Sequence, residues 1–146
     1  MKSTFKKILC PVDFTEDSFA AFRAAYTLAL CFSAHLIAVH VMPSMQNLRM
    51  QQNRPVHHRI AESFFNEQLD LAVRQSTNGS VPVQSILLEG DAADEIVRVA
   101  DNLKVDAIIM AEEKRDEWLK VRDGSMTDEV MGQASCPVLV LKSFES

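Results

Sequence analysis

The chain lacks the usual short signatures of catalysis. It has no GxxxxGK[ST] phosphate loop, no GxSxG nucleophile elbow and no apparent Ser-His-Asp arrangement, which removes P-loop and serine-hydrolase chemistry and leaves no catalytic residue to name. Cysteine is sparse: Cys10, Cys31 and Cys136 cannot all pair within one chain, and none sits in a CxxC. That usage points to a reduced, cytoplasmic setting with the thiols serving as small apolar groups. Metal ligands are also too few. His57 and His58 are adjacent and face different directions on a helix, so only His58 and Glu62 share a face. Acidic residues outnumber basic ones by 20 to 15, a net charge of -5 that disfavours nucleic acid and anionic membrane as partners. The nearest thing to a long apolar run, Ala24 to Met42, is broken by Thr27, Ser33, His35 and His40 and changes from helical to extended spacing. It is a helix followed by a buried strand and not a membrane span. The run after Lys2, Lys6 and Lys7 stops at Asp13, short of a signal-peptide core of about 7–15 residues.

What is present is one domain's worth of alternating elements. With 146 residues, 47% apolar and 24% charged, the chain can bury a sizeable core. Ile8–Val12 is a β-prone run. Thr15–Phe32 carries Phe19, Phe22, Ala25, Tyr26, Ala29 and Leu30 at helical spacing. His35–Met42 is apolar on both faces, as suits the interior of a parallel sheet. Pro43–Pro55 has no firm period and is a long connection. Helical spacing resumes through Ile60, Phe64, Phe65, Leu69, Leu71 and Val73, ending at Ser76-Thr-Asn-Gly79. Val81–Leu88, a helix opened by Gly90-Asp91, Val105–Ala111, the helix Ser125–Ala134 and the strand Val138–Leu141 complete the series. Residues 1–146 make a single α/β domain with five strands. Helix-length crossovers predict a doubly wound parallel sheet, but the pattern does not give the strand order.

In such sheets ligands bind outside the carboxyl ends of the strands, where the winding reverses. Asp13 ends the first strand. It is either a helix cap, with capping-box character in Asp13-x-x-Glu16, or a hydrogen-bonding group for a ligand's ribose or base. Gly124-Ser125 precedes a helix whose first turn, Ser125-x-x-Asp128, again resembles a cap and whose free N–H groups suit an anion. The connection from Glu112 to Asp123 is long for a βα loop, and long loops are often functional. Within it, Trp118 with Leu119 and Val121 is best read as a packing anchor, with a lid or partner contact as the alternatives. His40 on the second strand is expected to be a satisfied core histidine. A phosphoacceptor receiver domain would need an aspartate where strand three ends in Leu88-Glu89. An ATP pyrophosphatase would need a Ser-Gly-Gly loop where the chain has Asp13-Phe-Thr.

Several segments, taken in order, resemble the universal stress protein family. They are Ile8-Leu-Cys-Pro-Val-Asp13 before a Ser/Thr-bearing helix start, His40-Val-Met-Pro43, Gly90-Asp91-Ala-Ala-Asp-Glu-Ile96, Asp106-Ala-Ile-Ile-Met110, Gly124-Ser125 and Cys136-Pro-Val-Leu-Val140. The resemblance covers about residues 5–142. It implies an adenine nucleotide alpha hydrolase-like sheet of order 3-2-1-4-5 with helices on both faces. It also implies a role in stress tolerance, usually without demonstrated catalysis, and homodimers paired along strand five, here Val138–Leu141. Some members bind ATP or AMP between strands one and four. Carried over by position, Asp13 and Val41 would meet ribose and adenine, Met110 and Ala111 would line the fourth-strand turn, and Gly124, Ser125 and Met126 would hold phosphates.

The chain departs from that pattern at one place. Nucleotide-binding members follow Gly-x-x-Gly, nine residues, then Gly-Ser/Thr; here the first two glycines are Ala111 and Lys114. Those glycines let backbone N–H groups approach phosphate closely, often at positive φ, where a Cβ intrudes. Lys114 either fills the phosphate position or offers its ammonium as a point charge, with Glu112 and Glu113 opposing it. The expectation is a stress-response homodimer acting through protein partners whose identity the sequence does not give, without tight ATP binding. The alternative is an ATP- or AMP-sensing member that uses Lys114.

Overall fold

A computed structural model describes residues 5–44, 54–74, 80–112 and 126–142. Its elements are β1 (Lys7–Pro11), α1 (Glu16–Phe32), β2 (His35–Met42), α2 (Arg54–Val73), β3 (Val83–Glu89), α3 (Ala92–Leu103), β4 (Ala107–Ala111), α4 (Met126–Gln133) and β5 (Val138–Leu141). The strands form one sheet in the order β3-β2-β1-β4-β5, with every pairing parallel. The expected doubly wound sheet and its 3-2-1-4-5 order are both observed.

β1 is the spine. It pairs with β2 from Lys7↔His35 to Pro11↔Val39 and with β4 at Ile8↔Ala107 and Leu9↔Ile108. Because successive side chains leave a strand on opposite faces, the central strands feed two separate cores. Ile8, Cys10, Val12, Leu36, Ala38 and Ile109 join Phe22 and Tyr26 of α1 and Phe65 and Leu69 of α2. Leu9, Ile37, Val39, Ile108 and Met110 join Ile96, Val99 and Ala100 of α3 and Val130 of α4. This two-sided burial is why β1, β2 and β4 carry apolar residues on both faces. The start of the sheet is held by Asp106, whose carboxylate accepts the N–H groups of Lys6 at 2.7 Å and Lys7 at 3.0 Å.

Several element boundaries differ from the sequence-based expectation. β3 begins at Val83 and β4 at Ala107, each two residues later than expected. α2 begins at Arg54, so Pro55 lies inside its first turn, where its fixed φ is compatible and its missing N–H costs nothing. The apolar residues of α2 also split. Phe65 and Leu69 are buried, whereas Ile60, Phe64 and Leu71 are 64%, 49% and 47% exposed. The Ser76–Gly79 cluster, most of the 43–55 connection and Trp118 lie outside the described residues.

Two predictions follow from this packing. Phe22 and Phe65 are fully buried, so Phe22→Ala or Phe65→Ala should each lose about 3–5 kcal/mol in urea unfolding. The thiols should also separate: Cys31 is exposed, Cys136 half-buried, and Cys10 fully buried. Burial pushes the Cys10 thiol far above its ordinary range, and burial, aided by Asp101 and Asp106, raises that of Cys136. Because only thiolate reacts, iodoacetamide at mildly alkaline pH should label Cys31 first and leave Cys10 untouched until the protein unfolds.

Candidate functional site

The sheet reverses its winding at β1, whose chain leads to β2 on one side while β4 lies on the other. At the carboxyl ends of these three strands lies a cleft of about 330 Å³, lined by residues 11–13, 39–41 and 110–112 together with residues from the starts of α1, α3 and α4. That is within the range of small-ligand sites, which starts at about 300 Å³.

The cleft is shaped by the way β1 ends. The Val12 N–H still donates to the Val39 carbonyl at 2.8 Å, extending the ladder by one residue. The chain then turns at Phe14, which holds φ +67°. A left-handed backbone costs a non-glycine residue about 1–2 kcal/mol. Here the turn aims the ring into an aromatic cluster, with centroids 4.5 Å from His40, 5.2 Å from Phe64, 5.7 Å from Phe65 and 6.2 Å from Phe19. His40 is half-buried, and its Nδ1 lies 2.8 Å from the Val12 carbonyl. Since a carbonyl only accepts, Nδ1 is the donor. The expected core histidine is thus satisfied, and its hydrogen bond ties β2 to the end of β1.

Beyond Phe14 the helix cap differs from expectation. The N-cap is Thr15, whose Oγ1 accepts the Ser18 N–H at 3.2 Å. Ser18 Oγ accepts the Asp13 N–H at 3.2 Å and donates to the Thr15 carbonyl. Asp13 therefore sits two residues before the cap. Its Oδ1 accepts both the Thr15 N–H at 3.1 Å and the Thr15 hydroxyl at 2.5 Å. The carboxylate lies on the cleft wall, fixed by Thr15, where it can accept a ligand's hydroxyl.

The structure brings Asp13, Val41, Met110, Ala111 and Met126 together around this one cleft. Lys114, Gly124 and Ser125 lie outside the described residues. The sequence reading missed Thr15, Asp17, Ser18, Ala92 and Ile96 as lining residues. The Thr15-x-x-Ser18 spacing before the apolar run of α1 was the available signal for two of them.

Two features mark the end of the cleft at β4. Strand pairing continues through Ala111↔Leu141, and the Glu112 N–H donates to the Leu141 carbonyl at 2.8 Å. The first main-chain amide after Ala111 is thus committed to the sheet. The charge balance is also one-sided. Asp13, Asp17 and Glu112 line the cleft, and no lysine or arginine does so among the described residues. At the opposite rim Gly90, at φ +139°, donates its N–H to the Met42 carbonyl, and Asp91 caps α3 by accepting the Asp94 N–H at 3.1 Å. Thr15→Ala should cost about 0.5–2 kcal/mol in urea unfolding, since it removes a cap together with the partner of Asp13.

This geometry has counterparts among known proteins. The chain matches the Universal stress protein family over residues 4–142. It is 27% identical over 143 residues to universal stress protein MJ0531 of Methanocaldococcus jannaschii, covering 97% of this chain and 84% of that one. Among solved structures it is similar to universal stress protein UspA from Lactobacillus plantarum, with a TM-score of 0.73, 21% identity and coverage of 94% and 97% of the two chains. It is also similar to the universal stress protein from Archaeoglobus fulgidus in complex with dAMP, with a TM-score of 0.66, 19% identity and coverage of 93% and 96%. The match runs through all five strands and past the last one, and on that ground the chain belongs to the universal stress protein family.

Proposed function

We propose that this chain acts in the stress response as a non-catalytic homodimer that works through contacts with protein partners and does not bind ATP tightly. The observation that carries the reading is the character of the cleft's β4 end. A triphosphate needs either backbone N–H groups or cations around it. Here the Glu112 N–H is held by Leu141, and the described lining offers three carboxylates and no lysine or arginine. Phosphate and carboxylate repel each other, modestly where the carboxylates are exposed, as Asp13 and Glu112 are. Ala111 and Lys114, standing where nucleotide-binding members carry glycine, act in the same direction. Pairing of the two copies is assigned to β5, a sheet edge whose N–H and C=O groups can extend the ladder into another chain, with Leu139 46% exposed beside it. Light scattering that reports a monomer at working concentration rules out that pairing.

A second reading is favoured by one specific observation. Val41 of β2 and Met110 of β4 line the cleft together with the fixed Asp13 carboxylate, and a protein of the same fold is known in complex with dAMP. A nucleoside monophosphate places far less charge at the β4 end than ATP does. In this reading AMP is the cleft's ligand, ribose meets Asp13, and Lys114 supplies a point charge for its phosphate.

Mass analysis of protein purified without added nucleotide should find no ATP. Equilibrium dialysis should then give ATP an affinity no better than that of AMP. Micromolar ATP binding that disappears in Lys114→Ala would overturn the first reading and establish a nucleotide sensor.

A further inference from the structure

α2 carries two apolar stripes; the core uses one of them, and of the other Phe64 also packs one side of its ring on Phe14. At about 100° per residue, Val56, Ile60, Phe64 and Leu71 fall within an arc of about 80°, while Phe65 and Leu69 lie on the opposite side against the sheet. The outer four are 45%, 64%, 49% and 47% exposed. Four large apolar side chains aligned along one helix face are more than the scattered surface residues that need no explanation.

The charges beside this stripe run against the helix. Arg59 lies in its first half, where His58 faces Glu62 at 3.8 Å, and Glu67 and Asp70 lie in its second, with no acid in the first turn and no base in the last. A helix is negative at its C-terminus, so Asp70, in the last turn, sits at the unfavourable end. Arg59, Glu67 and Asp70 are exposed, and none has an ion-pair partner among the described residues. On the wheel, Arg59 and Asp70 fall along the same flank of the stripe, and Glu67 falls within its arc, between Val56 and Ile60.

A second α2 laid antiparallel across the first resolves both oddities. A two-fold axis passing close to Phe64 keeps each flank facing the same flank of the other copy while reversing its direction. Arg59 then meets Asp70 of the second copy, and the dipoles of the two helices oppose. The Phe64 rings meet near the axis, and Ile60 lies along the other copy's stripe toward Leu71. The arrangement is isologous, as two-fold interfaces are.

We infer that the outer face of α2 is a self-association surface, whose occupant is the antiparallel α2 of a second copy of this chain. α2 packs on one face of the sheet near β3, at the far end from β5. The contact is therefore separate from pairing along β5, and where both form, dimers join into tetramers or longer arrays.

Sedimentation velocity across a concentration series, with circular dichroism to confirm folding, tests the inference. Ile60→Lys, at a highly exposed position, should weaken self-association by about tenfold or more, as loss of a central apolar contact does. Arg59→Glu should weaken it as well, and Arg59→Glu combined with Asp70→Arg should restore it. An unchanged mass distribution for folded Ile60→Lys overturns the inference while leaving β5 pairing intact. Failure of the charge exchange to restore association also overturns it, since the antiparallel register requires that pair. A wild-type monomer at all concentrations refutes both this contact and β5 pairing. Ile60→Lys that yields monomer supports α2 and leaves β5 pairing without effect at those concentrations.

Discussion

The site depends on β1 being paired along both edges and buried on both faces. Leu9 and Cys10 are fully buried, and each side of the strand belongs to a different core. A strand so constrained cannot slip by one residue without turning every side chain to the wrong core. Where its ladder ends is therefore fixed, at the Val12 N–H to Val39 carbonyl bond. The cleft, the left-handed turn at Phe14 and the clamp of Thr15 on Asp13 all follow from that ending.

A rigid cleft does not imply the family's best-known ligand. The fold places apolar walls and a fixed carboxylate at the β1–β2 side, features that suit a nucleoside. At the β4 side the backbone keeps its ladder through Glu112, whose side chain adds a negative charge there. Both β5 and the outer face of α2 present apolar groups to solvent.

Much of this was legible in the residues. β1, β2 and β4 could be read because strands covered on both sides must be apolar throughout, and the start of α3 because Gly90-Asp91 gives both a turn and a cap. The strand order came only from the family resemblance, since periodicity carries no information about which strands are neighbours. The cap of α1 was displaced by two residues because the positive φ of Phe14 leaves no mark in composition; it is held by rings from α1, α2 and β2 that are distant in sequence. α2 was misread for a different reason. Its spacing reveals apolar residues but not which stripe meets the sheet, so exposed Ile60, Phe64 and Leu71 were grouped with buried Phe65 and Leu69. At the candidate site, Asp13, Val41, Met110, Ala111 and Met126 were placed by position and line the cleft, while Glu112 was read only for its charge, because the pairing of its amide with β5 leaves no mark in the sequence.

The central claim is that residues 111 and 114 close the phosphate end of an otherwise intact cleft. Titration of ATP into Ala111→Gly, Lys114→Gly protein beside the wild type tests it most directly. The account predicts that the double variant gains ATP affinity by about tenfold or more, equivalent to about 1.4 kcal/mol. Equal affinity in the two proteins, or weaker binding in the variant, would contradict it.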